Sequence, residues 1–185
     1  MMMKFEILPG LPATGLMHEN FSASGTGKHS EGIVVRFFSN DNSSWVGNFQ
    51  PGLGGATSVI NHPDGLNLIV FAEGQAYVID PSTKKLKTEF GGCIQDIFEL
   101  SEDHALILGD GLHFERVEKT GAMLWRTKRI SWDGMQNVRI EGDKILGEAF
   151  TPLENKWLPF SVDLYTGEVD GGSYNSPLHI LTHFA

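Results

Sequence analysis

The sequence has a single cysteine, Cys93, among 185 residues. An internal disulfide and a cysteine-rich zinc site are therefore excluded, because each needs at least two thiols. Cys93 follows two glycines and precedes Ile94, and no motif around it marks a nucleophile. We interpret it as a buried structural thiol, and the cysteine content does not imply an oxidising compartment.

Long apolar runs are also missing. A membrane-spanning helix needs about 20 mostly apolar residues, and no such stretch occurs. The opening segment, MMMKFEILPGLP, contains one lysine but lacks the apolar segment of a signal peptide before Pro9. We therefore expect no secretion by a standard signal, no membrane partner and a cytoplasmic location.

Basic residues are scarce, because 14 Lys and Arg stand against 23 Asp and Glu, for a formal net charge of −9. Nucleic-acid binding requires a basic surface that releases counterions from phosphates. We therefore expect no nucleic-acid partner. A chain this acidic favours a basic protein partner, since opposite charges steer association; a solvated surface that keeps the protein in solution is the alternative.

Motifs for catalysis, metals and cofactors are absent or incomplete. The segment Gly25-Thr-Gly27-Lys28 lacks the earlier glycine and the following Ser or Thr of a phosphate-binding loop. His179 and His183 have the spacing of a zinc-protease helix, but the required Glu after the first His is missing. No Gly-x-Ser-x-Gly elbow occurs either. We predict no catalytic residue, no metal and no cofactor.

Glycine and proline are plentiful, with 22 and 8 residues respectively. They predict frequent turns between short strands. A chain of this length buries roughly 70% of its unfolded surface on folding, and the hydrophobic content of 41% lies near the globular norm. We predict one all-β domain over residues 1–185.

A strand, a corner centred on threonine and a second strand recur three times. The corners are at Thr83, Thr120 and Thr166, so their separations are 37 and 46 residues. Such a period suits a four-stranded sheet that is repeated radially. We divide the chain into an extended arm (1–31), a partial blade or hairpin (32–57), three repeats (58–170) and a closing strand (171–185).

Particular turns and strands are predicted within this frame. Asp110-Gly111 is the strongest hairpin signal, because a type I′ turn needs positive φ at both central residues. Pro159 lies inside an apolar run and indicates an edge strand or a bulge. Trp125 is positioned to anchor the packing between neighbouring sheets.

The corner sequences resemble the repeats of quinoprotein-like β-propellers. The resemblance lies in three segments, Tyr77-Val-Ile-Asp-Pro-Ser-Thr83, Glu118-Lys-Thr-Gly-Ala-Met-Leu-Trp125 and Asp163-Leu-Tyr-Thr-Gly-Glu-Val169. In that family a blade's third strand commonly ends in Asp and a Thr-Gly corner, and its fourth strand often carries Trp. Lys84 replaces the first corner's Gly, and Val169 occupies the region where Trp is expected. The resemblance concerns architecture only and implies three to four antiparallel blades in a small or incomplete propeller.

If the repeats are blades, the loops between second and third strands and those between blades lie on one face. This places five candidate binding residues together: Glu73, Asp110, Trp132, Asp133 and Glu154. A tryptophan among carboxylates is typical of a protein-binding surface, and ordinary packing of Trp132 is the alternative. A second group of carboxylates is interpreted as a solvated rim: Asp96, Glu99, Glu102 and Asp103.

The function hypothesis that follows is a non-enzymatic protein-binding module with an acidic face. Its narrowest version is an immunity or antitoxin-like protein that neutralises a basic partner. One alternative is a small hydrolase or lyase that uses a pocket of histidines and carboxylates. Another is a structural subunit that completes a propeller by homo-oligomerisation.

Overall fold

Sixteen β-strands form four sheets of four strands each. The structure is a computed structural model, and it describes residues 4–15, 17–23, 25, 30–39, 43–62, 64–100, 102–103, 105–118 and 122–174. In these residues there is no helix, and hence none with the length and apolarity to cross a membrane. The all-β architecture of four-stranded, propeller-like sheets confirms the predicted fold class.

The chain divides into two compact units, Met1–Gln95 and Asp96–Ala185, called here unit 1 and unit 2. Unit 1 contains sheets 1 and 2, and unit 2 contains sheets 3 and 4. The single domain over residues 1–185 remains a prediction.

Sheet 1 contains β1 (Lys4–Leu8), β2 (Glu19–Phe21), β3 (Ile33–Phe38) and β4 (Ser44–Phe49), in the order β1-β3-β4-β2. The predicted hairpin is present as β3 and β4. Residues 1–31 were expected to form an arm, but they contribute both outer strands of this sheet. β2 runs parallel to β4, so this sheet is not wholly antiparallel as predicted. The three residues of β2 are too few to show a periodic pattern.

Sheet 2 follows chain order with β5 (Ser58–Asn61), β6 (Leu68–Ala72), β7 (Gln75–Asp80) and β8 (Lys85–Gly91). All five residues of β6 are buried, which is why the strand is a continuous apolar run. The core of unit 1 joins side chains from both of its sheets, including Phe37, Phe49, Val70 and Tyr77.

Unit 2 repeats this sequential order twice. Sheet 3 contains β9 (Asp96–Leu100), β10 (Ala105–Gly109), β11 (Phe114–Val117) and β12 (Met123–Arg126). Sheet 4 contains β13 (Met135–Glu141), β14 (Lys144–Thr151), β15 (Lys156–Asp163) and β16 (Val169–Gly171). Trp125 packs against the core that the two sheets share and donates from Nε1 to the Leu164 carbonyl at 3.2 Å. Its predicted anchoring role is confirmed.

Two of the three threonine corners have the same geometry. Asp80 Oδ1 accepts hydrogen bonds from the amides of Ser82 and Thr83 at 3.0 and 3.2 Å. Asp163 Oδ1 accepts the equivalent bonds from Tyr165 and Thr166, both at 2.9 Å. The residue after each threonine has positive φ: 57° at Lys84 and 72° at Gly167. Lys84 therefore occupies a left-handed position that glycine fills at the other corner. The Thr120 corner lies outside the described residues.

Two predicted turns differ from the structure. Asp110-Gly111 does not form a two-residue type I′ turn, because Asp110 accepts hydrogen bonds from the amides of Leu112 and His113 and lacks positive φ. This carboxylate contact creates a longer loop, as Asx turns do. Positive φ at both central residues is found instead at Glu73 and Gly74, with angles of 44° and 86°.

Pro159 is not on an edge strand, because β15 lies between β14 and β16. The ladder between β15 and β16 begins at Phe160, and the Pro159 carbonyl accepts from Gly172 N at 3.0 Å. The missing amide of Pro159 thus falls just beyond that ladder and removes no bond to β14.

Two further expectations concern Cys93 and the predicted closing strand. Cys93 is exposed, not buried, because it lies in the connection between β8 and β9. Of the predicted closing strand (171–185), Gly171 ends β16, and residues 175–185 lie outside the described part of the chain.

Candidate functional site

Glu73 occupies the tight turn between β6 and β7 in unit 1. Its carbonyl accepts a hydrogen bond from Gly54 N at 2.8 Å, and its amide donates to Thr57 Oγ1 at 3.2 Å. The backbone of Glu73 is therefore fixed while its side chain is exposed. The other four predicted residues belong to unit 2.

Asp110 begins the loop between β10 and β11. Besides the two amide bonds within the loop, its Oδ2 lies 3.3 Å from Arg126 Nη2 and 3.2 Å from His113 Nδ1. A carboxylate with these partners contributes little free negative charge to the surface.

Trp132 and Asp133 lie in the connection between β12 and β13. Ile130 of this connection donates from its amide to the Leu112 carbonyl in the β10–β11 loop at 2.9 Å. Gly134 accepts from Phe150 N near the end of β14 at 3.2 Å. These bonds bring residues 110–113, 127–134 and 152–155 to one end of unit 2, which we call the Trp132 end.

Glu154 lies in the turn between β14 and β15 at the Trp132 end, where it forms an ion pair with Lys156. Arg129 adds positive charge at the same end. Its Nε and Nη2 donate to the carbonyls of Ser131 and Trp132, both at 2.8 Å. Asp110 and Glu154 are paired with basic side chains, and Arg129 adds a positive charge. This end is therefore less acidic than predicted.

Arg129 also joins an aromatic cluster. Its guanidinium carbon lies 4.8 Å from the ring centroid of Tyr174 and 5.7 Å from that of Trp132. The two rings are 4.8 Å apart. All three side chains are partly exposed, so Trp132 is neither simply core nor simply a free surface residue.

The opposite end of unit 2 holds an acidic cleft of about 260 Å³. We call it the Tyr165 end and define it by residues 99–100, 102–103, 140–143 and 164–168. Its carboxylates are Glu99, Glu102, Asp103 and Asp143, and its apolar walls are Leu100, Ile140, Leu164 and the ring of Tyr165. Strands β9, β13 and β15 end at these residues, which is why groups so distant in sequence meet.

Arg116 contacts two residues of the cleft, and its own side chain is only 6% exposed. It donates from Nη1 to the Leu164 carbonyl at 2.8 Å and from Nη2 to Asp103 at 3.0 Å. Its Nε lies 2.7 Å from Glu118 Oε1, close enough for an ion pair but not aligned for a hydrogen bond. The single guanidinium charge is therefore shared between two carboxylates, and the cleft keeps an excess of negative charge.

The pKa of the Tyr165 phenol depends on this negative charge. Its phenol lies 3.5 Å from Asp143 Oδ1, and its side chain lies over Arg116 at 5.6 Å from the guanidinium carbon. The negative charges of Asp143 and then Asp103 raise the pKa of Tyr165, while Arg116 opposes them. The raised pKa is the effect expected of a negative potential, which disfavours phenolate.

The histidines of unit 1 and unit 2 that form ion pairs do so within their own turns. His62 lies 3.0 Å from Asp64, and His113 lies 3.2 Å from Asp110. Among the described residues no group of three or more His, Cys, Asp or Glu is arranged to hold a metal ion. His179 and His183 lie outside those residues, so their suggested spacing is not tested.

The sequence interpretation named part of the cleft but treated those residues, together with Asp96, as a solvated rim. Glu99, Glu102 and Asp103 stood out as a local group of carboxylates, whereas Asp143 and Tyr165 carried no sign of proximity to them. The usable signal was the repeat itself, because equivalent turns of neighbouring sheets lie at the same end.

No protein-family model matches the chain, and no curated protein matches it. Among solved structures it is similar to puromycin hydrolase, with 16% identity and a TM-score of 0.43 over 78% of this chain and 26% of that one. The WD40 domain of Pan2 from Neurospora crassa is 8% identical with a TM-score of 0.41, over 77% and 49% of the two chains. The WD40 domain of SCAP from fission yeast is 11% identical with a TM-score of 0.34, over 97% and 46%.

The chain thus spans between about a quarter and a half of the length of these three structures. At TM-scores below 0.5 we derive neither activity nor partner from them. The narrower resemblance to quinoprotein repeats remains a prediction.

Proposed function

We propose that this chain is a non-enzymatic protein-binding module whose Tyr165 end receives a lysine or arginine side chain of a basic partner. The observation that carries the proposal is the cleft of about 260 Å³, with four carboxylates around apolar walls. Two of the same carboxylates, Asp143 and then Asp103, raise the pKa of Tyr165, as a negative field in the cleft requires.

The two kinds of lining group match the two parts of a long basic side chain. The aliphatic stem of Lys or Arg packs on apolar groups such as Leu100 and Ile140, while its charged head reaches carboxylates. Tyr165, which is 57% exposed, offers a ring face to the same cation. The formal net charge of −9 adds long-range attraction for a basic protein.

The narrower proposal is an immunity or antitoxin-like role, in which the basic partner is a toxin that the module blocks. It is supported by the acidity of the chain and by the incomplete catalytic motifs of its sequence. Genomic adjacency to a toxin gene, together with protection of cells that express that toxin, would test it. Protection that persists when the cleft charges are removed would separate this role from the cleft.

The Trp132 end is a second candidate surface for the same function. Trp, Tyr and Arg are the residues that dominate binding hot spots, and Trp132, Tyr174 and Arg129 form a contiguous cluster there. The five residues named from the sequence, Glu73, Asp110, Trp132, Asp133 and Glu154, remain a proposal, with Asp110 and Glu154 already ion-paired.

The two ends are distinguished by removing the same charge from each. In one variant, Glu102→Gln and Asp143→Asn remove two charges from the cleft; in the other, Glu154→Gln and Asp133→Asn remove two from the Trp132 end. We expect the cleft variant to lose about tenfold in affinity for a short oligolysine peptide by calorimetry, and the control less than threefold. Equal losses would show that only net charge matters and would overturn the cleft proposal.

A second readout needs no partner. Asp143→Asn removes the charge that contributes most to the raised pKa of Tyr165, so the phenol should titrate at lower pH than in the wild type. Ultraviolet absorbance at alkaline pH measures this, and Tyr165→Phe identifies which tyrosine is observed. An unchanged titration would mean that the cleft lacks the negative potential on which cation binding depends.

A further inference from the structure

An apolar edge strand lies at the border of sheet 1. β1 pairs with β3 from Lys4↔Phe38 to Leu8↔Val34, and it is an outer strand in the order β1-β3-β4-β2. Its other edge faces no strand among the described residues. Phe5 is 38% exposed and Ile7 46% exposed, and both share the sheet face of their partners Phe37 and Val35.

This edge lacks most of the features that keep natural edge strands apart. Such edges are usually short, bulged, or interrupted by proline. β1 contains no proline, and its register with β3 is continuous over five residues. The charged residues Lys4 and Glu6 lie on the face opposite Phe5, and Glu6 Oε2 is 3.2 Å from Arg36 Nη1.

We propose that β1 pairs antiparallel with β1 of a second copy of this chain, about a twofold axis at Phe5. A twofold axis makes the contact self-complementary, so every pair off the axis occurs twice and the assembly closes as a dimer. The proposal is independent of the Tyr165 cleft, which belongs to unit 2.

The register follows from two constraints. Directly opposite residues in an antiparallel pair share a face, so Phe5 must face Phe5 or Ile7 of the second copy if both sheets keep their apolar sides together. The Phe5–Ile7 register places Glu6 against Glu6, two like charges. The Phe5–Phe5 register places Lys4 against Glu6 twice and joins the two aromatic rings. Opposite charges and aromatic pairs stabilise cross-strand contacts, whereas like charges destabilise them.

The first test is the mass of the protein in solution. One chain has a mass of 20.4 kDa, and light scattering during size-exclusion chromatography should give a mass that rises from this value towards twice it with increasing concentration. A mass of one chain at every concentration would overturn the proposal.

The second test uses charge. Lys4→Glu places Glu against Glu6 of the second copy, and Glu6→Lys places Lys against Lys4, so each variant alone should dimerise about tenfold more weakly than wild type. A mixture of the two variants restores both opposite-charge pairs, so it should form heterodimers of wild-type strength. Differently tagged copies and co-purification would report the mixture.

Controls separate pairing from folding. Lys4 is exposed, so Lys4→Glu should leave the circular dichroism spectrum unchanged; Glu6→Lys loses the contact to Arg36, so its spectrum must be compared before its mass is interpreted. Weakening by Glu6→Lys but not by Lys4→Glu would reject the Phe5–Phe5 register. A dimer that neither variant weakens would have another interface, and the proposal would be wrong.

Discussion

The two units close the same end of their sheets in different ways. In unit 1 the loops after β4, β6 and β8 are joined by backbone hydrogen bonds, including Gly54 N to the Glu73 carbonyl and Gly74 N to the Ala56 carbonyl, both at 2.8 Å. In unit 2 the corresponding loops at the Trp132 end are joined by backbone hydrogen bonds, such as Ile130 N to the Leu112 carbonyl at 2.9 Å, and in addition by side-chain hydroxyls. Ser173 Oγ donates to the Phe150 carbonyl at 2.6 Å and accepts from Trp132 N at 3.1 Å.

The difference has a consequence for function. At Gly54 the backbone contact needs glycine, because a Cβ there would lie 2.2 Å from the Ile94 carbonyl oxygen. Loops held in this way have no room for projecting side chains at the contact. Loops held by hydroxyls keep space for large groups, and unit 2 places Arg129, Trp132 and Tyr174 there. Of the two closures, the one in unit 2 therefore also carries a candidate binding surface.

Among the substitutions that test this difference between the units, Gly54→Ala should have the largest effect on stability. Because the clash is with backbone atoms of Cys93 and Ile94, it cannot be relieved by rotating a side chain, and we expect a loss of about 3 kcal/mol in the free energy of unfolding. Urea unfolding measures the loss, and hydrogen exchange should localise it to β5–β8. Gly55→Ala is the control, since its Cβ would meet only Gln95 Oε1. Equal effects of the two changes would contradict the close backbone contact.

In unit 2 the corresponding change is Ser173→Ala. Ser173 is 1% exposed, and its loss removes the hydrogen bonds to Trp132 N and the Phe150 carbonyl. Because Ser131 Oγ still lies 3.4 Å from that carbonyl, the expected cost is about 1 kcal/mol. Hydrogen exchange should show the effect around Trp132 and β14. Ser161→Ala is a suitable control, because the Ser161 hydroxyl has no hydrogen bond within the described residues. If both changes have the same small effect, hydroxyls do not hold these loops.

At the first corner, one substitution is expected to raise the stability of the fold instead of lowering it. Lys84 has φ of 57° where the other corner has Gly167. Lys84→Gly removes the left-handed strain but increases the freedom of the unfolded chain, so we expect a net gain of about 0.5 kcal/mol. Lys85→Gly, one residue on and inside β8, should instead lose stability. Thermal unfolding compares the two, and a loss in both would mean that the contact of Lys84 Nζ with the Trp45 ring, 6.0 Å from its centroid, outweighs the backbone strain.

The smallest expected effect concerns the aspartate at each described corner, a feature that both units have. The Thr83 hydroxyl is the largest influence that lowers the pKa of Asp80, and the amides of Thr166 and Tyr165 lower that of Asp163. A carboxyl whose folded pKa lies below its unfolded value of about 3.9 stabilises the fold above that pH and loses this contribution as the pH falls. Asp80→Asn and Asp163→Asn should therefore both destabilise at neutral pH, with differences from wild type that vanish in acid. Unequal pH profiles would mean that the corners are not equivalent.

Much of the repeat could be predicted because its signals are local. The apolar run of β6, the aspartates before the Thr83 and Thr166 corners and the position of Trp125 each depend on a few neighbouring residues. The outer strands of sheet 1 could not be predicted in the same way, since β2 is three residues long and its partner β4 follows more than twenty residues later. The turn at Asp110 was wrong because a side-chain contact, not backbone propensity, sets its length.

The candidate site, like the fold, was predicted only in part from the sequence. The sequence indicated an acidic, protein-binding chain, and it named Trp132 and the carboxylates between Glu99 and Asp103. It could not show that Arg126 and Lys156 neutralise two of the chosen acids. Nor could it show that Asp143 and Tyr165 join Glu102 and Asp103 around one cleft.

The sequence by itself determined the strands of the repeats, the Thr83 and Thr166 corners and the excess of negative charge, because periodicity, turn chemistry and composition act over short distances. Only the tertiary structure decided where that charge is concentrated. Ion pairs form between residues brought together by sheet packing, and they cancel acids at the Trp132 end while Arg116, shared between Asp103 and Glu118, leaves an excess at the Tyr165 end.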